Sequence, residues 1–206
     1  MTNPNDQTIA TYEAHVQEYI NGDPGISDIM KHWLGEAIAG LPKTARIIEL
    51  GSAFGRDAAY LQELGYNVEC TDATQAFVDL LKGKGFNARK LNAITDELSG
   101  PYDLVLANAV LLHFTREETR QVLQKVYASL AENGTFAFSL KQGEGGNWSD
   151  QKLGGPRYFC FWTEGQIRQL LEQTGFQDIR DIQEATKRED KNAIAWIRII
   201  AKKHKK

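Results

Sequence analysis

Arg46-Ile47-Ile48-Glu49-Leu50-Gly51-Ser52-Ala53-Phe54-Gly55-Arg56-Asp57 is the stretch on which the reading of this 206-residue chain turns. Its apolar, β-branched first half reads as a buried strand, and two glycines four positions apart follow at once. A helical pattern begins at Asp57. Glycine lacks a Cβ, so it adopts positive φ readily and lets a ligand approach the backbone. The first N–H groups of the following helix point into the same space. Strand, tight turn and helix N-terminus together read as a loop that holds a nucleotide-type cofactor. Glu49, near the strand's end, stands where an acid can face a cationic group.

Downstream, strand and helix patterns alternate. The spacing predicts a helix over 57–64, a strand over 67–71, a helix over 74–82 and a strand over 88–91. A strand over 102–107, an amphipathic helix over 116–130 and a strand over 135–140 follow. Next come a glycine-rich loop (141–156), an aromatic extended piece (157–162) and a helix over 163–174. Strands over 178–183 and 193–201 close the chain, joined by a charged, helix-poor connection at 184–192. Alternating elements imply a mostly parallel α/β sheet, and the helix-free last connection implies an antiparallel hairpin at its edge. Upstream, helices are expected over 8–20 and 27–39, broken by Asn21-Gly22-Asp23-Pro24-Gly25. One domain is expected over 1–206, with 1–42 as a helical cap and 43–206 as the core.

Composition narrows the setting. The net charge of −3 argues against a large phosphate-binding face, and the basic tail Lys202–Lys206 reads as a solvated terminus. Cys70 and Cys160 sit in apolar surroundings with no disulfide framework and no metal-ligand spacing. Nothing resembles a signal peptide or an 18–20-residue apolar span. A cytoplasmic protein without a metal is the expectation.

Ligands of open α/β sheets bind at the strands' C-terminal ends. Here those positions carry Gly51 to Gly55, then Asp72, then Asn92-Ala93-Ile94, then Asn108-Ala109. A carboxylate at Asp72, 21 residues beyond Gly51, suits the two hydroxyls of a ribose. Neither the G-x-G-x-x-G of a nicotinamide site nor the Gly-Lys-Ser/Thr of a phosphate loop is present, which disfavours an oxidoreductase. Glu49 would repel phosphate and suits an ammonium or sulfonium.

The runs E-L-G-S-A-F-G-R-D, T-D-A-T and Y-D-L-V-L-A-N-A-V-L-L-H-F resemble the class I S-adenosylmethionine-dependent methyltransferases. Ala53 departs from that family's loop, which usually has a glycine there. The resemblance implies a Rossmann-like, seven-stranded, mostly parallel sheet with an antiparallel C-terminal hairpin, helices on both faces and an N-terminal helical cap. It implies a cofactor site of Glu49, Gly51, Ser52, Ala53, Gly55, Asp57, Asp72, Ala73, Asn92, Ala93, Ile94, Asn108 and Ala109. The glycine loop would carry the methionine part, Asp72 the ribose and Ala93-Ile94 the adenine. Asn108 and Ala109 would lie beside the sulfonium.

On the acceptor side, His113 is a candidate base or ligand, with pocket wall or helix start as its plainer role. Arg157 is a candidate anchor for a substrate carboxylate. Lys141 and Glu144 of the glycine-rich, lid-like loop, Tyr12 and Tyr19 of the cap, and His15 complete the candidates. The motif D/N-P-P-Y/F of nucleic-acid amino-methyltransferases is absent at Asn108-Ala109-Val110-Leu111. A small-molecule acceptor is therefore expected, with nucleic acid disfavoured and no membrane contact. An RNA or protein methyltransferase and a non-catalytic S-adenosylmethionine-binding regulator are the alternatives.

Overall fold

The computed structural model describes residues 3–182 and 195–204. The expected connection at 184–192, the first residues of the expected last strand and the final two lysines lie outside the described residues. Within them, seven strands form one sheet: β1 (Ile47–Leu50), β2 (Val68–Asp72), β3 (Ala88–Lys90), β4 (Tyr102–Ala107), β5 (Leu130–Lys141), β8 (Gln177–Asp181) and β9 (Trp196–Lys202). Their order is β3-β2-β1-β4-β5-β9-β8. Strands β1 to β5 run parallel, and β9 is antiparallel to both β5 and β8, so the expected terminal hairpin forms. Strand order reverses between β1 and β4, which places the switch point at the end of the quoted stretch.

Side chains alternate across these strands, as the two-residue strand period requires. Ile48, Val105 and Phe138 face one core with α6 (Arg116–Ser129) and α7 (Glu164–Thr174). Ile47, Leu104 and Ala137 face the other, with α3 (Asp28–Ala37), α4 (Arg56–Glu63) and α5 (Gln75–Gly83). Capping boxes Thr115/Glu118 and Thr163/Gln166 start α6 and α7, satisfying N–H groups that the first turn leaves free. β1, β2, β4 and α4 to α7 fall within one or two residues of the expected positions.

Three regions differ from expectation, one of them β5, which begins at Leu130, five residues before the expected strand. The expected helix over 8–20 is two helices, α1 (Pro4–Ala14) and α2 (Val16–Asn21), which meet at His15 with φ −124°. α1 starts early because Asn3 caps it, accepting from the N–H of Asn5, and because proline is pre-set for a first helical position. Its buried residues are Asn5, Thr8 and Thr11 rather than the apolar positions that suggested the helix. Part of the expected glycine-rich loop is strand: β6 (Gly146–Ser149) pairs antiparallel in a ribbon with β7 (Arg157–Cys160), which lies in the expected extended piece. Gly143 and Gly145 extend this pairing by backbone bonds to Trp162 and Phe161.

Candidate active site

A cavity of about 100 Å³ opens at the C-terminal ends of β1, β2 and β4. Gly51, Ala53, Asp72, Ala73, Asn92, Ala93, Asn108 and Ala109 line it, so four separate loops converge on one space. From the cap come Tyr12 and Tyr19, and from α5 comes Phe77. His113, in a 3-10 turn (Leu111–His113) after β4, closes one end.

Backbone conformation builds the side of the cavity formed by the turn after β1. Gly51 takes φ +66°, and a Cβ there would lie 2.4 Å from Val110 Cγ2, so a larger residue meets both strain and a clash. Ala53 takes φ +48°, a left-handed conformation that costs a non-glycine residue about 1–2 kcal/mol. This is the physical reason a glycine is usual at that position. Ala53 is held there by donating its N–H to Asp72 Oδ2 at 2.9 Å, while Asp72 Oδ1 accepts from the N–H of Thr74 at 2.8 Å. Burial raises the Asp72 carboxyl, and those two N–H bonds oppose the rise.

Behind the wall runs a hydrogen-bond chain. Arg56 pairs with Asp23 at 2.7 Å and with Asp57 at 2.8 Å. The Asn108 amide donates to Asp57, Ser139 Oγ donates to Asn108 at 2.6 Å, and the N–H of Ala109 donates to Ser139 at 2.9 Å. Ala109 has φ +58°, so the chain fixes the strained turn after β4. Arg56 and Ser139 were missed by sequence reasoning, because no local spacing marks them. Asp57 supports the loops rather than lining the cavity, and Ser52, Gly55 and Ile94 likewise stand behind its surface.

Glu49 is also outside the cavity wall. It is 3% exposed, and its Oε2 has no partner. Burial, with the nearby Asp57 charge, pushes its carboxyl up to about 8. The Ser52 hydroxyl and Arg56 oppose the rise, and the acid is held largely protonated beneath the turn. Cys70, buried in the same region, is pushed up to about 12 by burial, as an inert core thiol.

At the other end, His113 Nδ1 lies 2.7 Å from the Tyr158 carbonyl and Nε2 lies 2.9 Å from Tyr12 Oη. A carbonyl only accepts, so Nδ1 carries the proton and Tyr12 donates its O–H to Nε2. Burial drives the imidazole down to about 3, leaving it neutral. Tyr12 and Tyr19 are both raised by burial and so stay protonated. Arg157 is 5% exposed and stands behind Tyr12, with Nη1 3.4 Å from Tyr12 Oη. Lys141 is half-buried, with Nζ 3.7 Å above the Phe159 ring. Neither lines the cavity directly. His15 does not reach it either; it pairs with Glu18 at 3.2 Å. Glu144 lies on the ribbon, exposed.

Polar contacts seat α1 across this site. Asn5 accepts from the Asn92 amide at 3.0 Å, Thr8 accepts from the N–H of Tyr158 at 3.0 Å, and Thr11 donates to the Pro156 carbonyl at 2.7 Å. Glu13 accepts the first N–H groups of α5 from Gln75 and Ala76, at 2.7 and 3.0 Å. A single sequence gives no signal for these long-range pairs.

A family model described as a methyltransferase domain matches residues 25–180, well over half the chain. The chain belongs to that methyltransferase family. Carboxy-S-adenosyl-L-methionine synthase of Campylobacter concisus is 30% identical over 109 residues. That match covers 49% of this chain, and the chain spans about half the length of the curated relative. Among solved structures, a Burkholderia thailandensis 1,6-didemethyltoxoflavin-N1-methyltransferase, with its acceptor and S-adenosylhomocysteine bound, superposes with a TM-score of 0.71 at 21% identity. It covers 100% of this chain and 92% of its own. Magnesium protoporphyrin IX methyltransferase from Synechocystis, with S-adenosylmethionine bound, gives 0.70 at 15% identity over 98% of each chain. The chain has the fold of the class I S-adenosylmethionine-dependent methyltransferases. Among the described residues of this methyltransferase no three His, Cys, Asp or Glu side chains are grouped to hold a metal, and no helix is long and apolar enough to cross a membrane.

Proposed function

We propose that the methyltransferase acts on a small-molecule acceptor, and that positioning and exclusion of water are its main catalytic means. The observation that carries this reading is the enclosure of the cavity. Tyr12 and Tyr19 on the cap, Phe77 and His113 close it opposite the four cofactor loops. A long RNA or protein strand would need an open cleft there.

The residues present fit the cofactor. Asp72 offers a buried carboxylate to ribose hydroxyls, Gly51 leaves space that a side chain would fill, and Asn92-Ala93 offer an amide and a small apolar wall. When bound, S-adenosylmethionine supplies a methyl group on a sulfonium for in-line displacement by the acceptor. This chain's residues orient the reacting groups and shed water around them. A neutral His113 that already accepts from Tyr12 acts as an orienter of that hydroxyl rather than as a proton acceptor at neutral pH.

Ligand sites generally occupy about 300–1,000 Å³, so the 100 Å³ seen here belongs to a seated cap. We infer that α1 lifts to admit a full-sized ligand. Calorimetric titration with S-adenosylmethionine and S-adenosylhomocysteine tests the reading. Binding by both, and competition between them, is expected; binding by neither overturns it.

A further inference from the structure

The polar atoms on the cofactor side of the cavity are largely satisfied, whereas a cluster of cations beyond Tyr12 is not. Arg157 is 5% exposed, its Nε has no hydrogen-bond partner, and its closest polar contact is the long 3.4 Å approach to Tyr12. A buried guanidinium normally has a carboxylate or a set of carbonyls against it, because an unpaired buried charge is costly. No ion pair engages Arg157, Lys141 or Lys152 among the described residues.

Instead the three cations are held over rings. The Arg157 guanidinium sits 5.2 Å from the Phe159 ring centre and 5.7 Å from that of Tyr12. Lys141 Nζ is 3.7 Å from Phe159, and Lys152 Nζ is 4.9 Å from Tyr19. They repel one another: Arg157 lowers both lysines, with burial the larger cause in each case. Asp23 is the acid that opposes this at Lys152, and it is already paired with Arg56. Cations gathered around aromatic surfaces and left without a counter-charge form the complement of an anion with an apolar body.

We propose that Arg157, supported by Lys141 and Lys152, is the anion-binding part of the acceptor site, so that the methyl acceptor carries a carboxylate or phosphate on an apolar, ring-like body. This deepens, and rests on, the reading of the chain as a small-molecule methyltransferase. Arg157 Nε and Nη2 share one edge of the planar guanidinium, the edge that a carboxylate or phosphate matches bidentately, and Nε has no partner there. Tyr12 stands between the guanidinium and the cavity and belongs to α1, so lifting the cap uncovers the donors on the side where the acceptor enters.

Calorimetry tests this on the full chain, both cofactor-free and saturated with S-adenosylhomocysteine. The probes are benzoate, phenyl phosphate and neutral benzamide. At least one anion is expected to bind about tenfold or more tighter than benzamide, as loss of a charge-assisted hydrogen bond implies. Benzoate against phenyl phosphate identifies which oxyanion is preferred. Arg157→Met should abolish the preference while S-adenosylhomocysteine affinity stays within about twofold, and Lys141→Gln with Lys152→Gln should reduce it by a smaller factor. Benzamide binding as tightly as both anions overturns the proposal, as does an Arg157→Met protein that keeps the preference. Should Arg157→Met fail to fold, an unchanged preference in the double lysine variant overturns it. Failure of the wild-type chain to bind S-adenosylhomocysteine would instead strike the methyltransferase reading, while the anion titrations on cofactor-free protein still decide this one.

Discussion

The two ends of the cavity are made by different means. At the cofactor end, the turns after β1 and β4 are held by backbone conformation: Gly51, Ala53, Gly55 and Ala109 all have positive φ. Their strain is fixed by short bonds to Asp72 and Ser139. At the acceptor end, α1 and the β6–β7 ribbon present long side chains over rings, and the buried Arg157 Nε is left unpaired. The first end is pre-formed and its polar atoms are mostly satisfied. The second is stable enough to close but leaves charge for something else to neutralise. In the proposed reading, a shared sheet supports a rigid half for the cofactor and an adjustable half for the acceptor.

Substitutions on the rigid half should give the largest effects. Asp72→Ala removes the acceptor that orders Ala53 and Thr74 and the carboxylate offered to the ribose. S-adenosylhomocysteine affinity should fall about 100-fold, on the scale of two charge-assisted bonds; a loss under fivefold by calorimetry would show that the two halves differ less than drawn here. Gly51→Ala should destabilise the fold by about 2–3 kcal/mol, since positive φ and overpacking against Val110 combine. Thermal melts check this, with Gly165→Ala on exposed α7, where a Cβ meets nothing, as the mild control.

Glu49 tests how the rigid half depends on pH. Its folded value of about 8 lies above the ordinary 4.5, so its contribution to stability is fully present below 4.5 and is lost as pH rises through 8. Glu49→Gln removes that loss. The variant should match wild type near pH 5 and exceed it at pH 9 by about 1–2 kcal/mol, or about 2–8 °C in Tm. A constant difference across that window would mean that Glu49 is not buried as charge-averse as its surroundings require. The smallest effect is expected for Ala53→Gly. Relief of left-handed strain is offset by the greater freedom of glycine in the unfolded chain, so a gain within about 1 kcal/mol is expected by denaturant titration.

The rigid half was legible in the sequence because its signals are local. A strand, two glycines four apart and an acid after the next strand lie close in sequence, and they remain close in space. Ala53 was visible as an irregularity, although its φ was not. The burial of Glu49 was not legible, because its position in the strand gives its distance along the sheet but not the depth at which its carboxyl comes to rest. The adjustable half was less legible because it is assembled from distant pieces. Tyr12, His113 and Arg157 were each noticed singly, yet the hydrogen bonds that join them span 101 and 145 positions. β6 was read as loop because glycines obscure its alternation, whereas β7 was expected as extended; α1 was read by its apolar residues although its threonines face inward.

That threonine face has a thermal consequence. A lid seated through an apolar stripe exposes oily surface when it opens, so its opening carries a large heat-capacity change and its rate curves strongly with temperature. Asn5, Thr8 and Thr11 are the residues that α1 buries, and each makes a hydrogen bond that water can replace. Lifting α1 should therefore carry a heat-capacity change set mainly by Ile9, Tyr12 and the rings Tyr12 covers, smaller than that of a helix seated on a full apolar stripe. A plot of ln kcat against reciprocal temperature should then curve only gently where that step limits turnover.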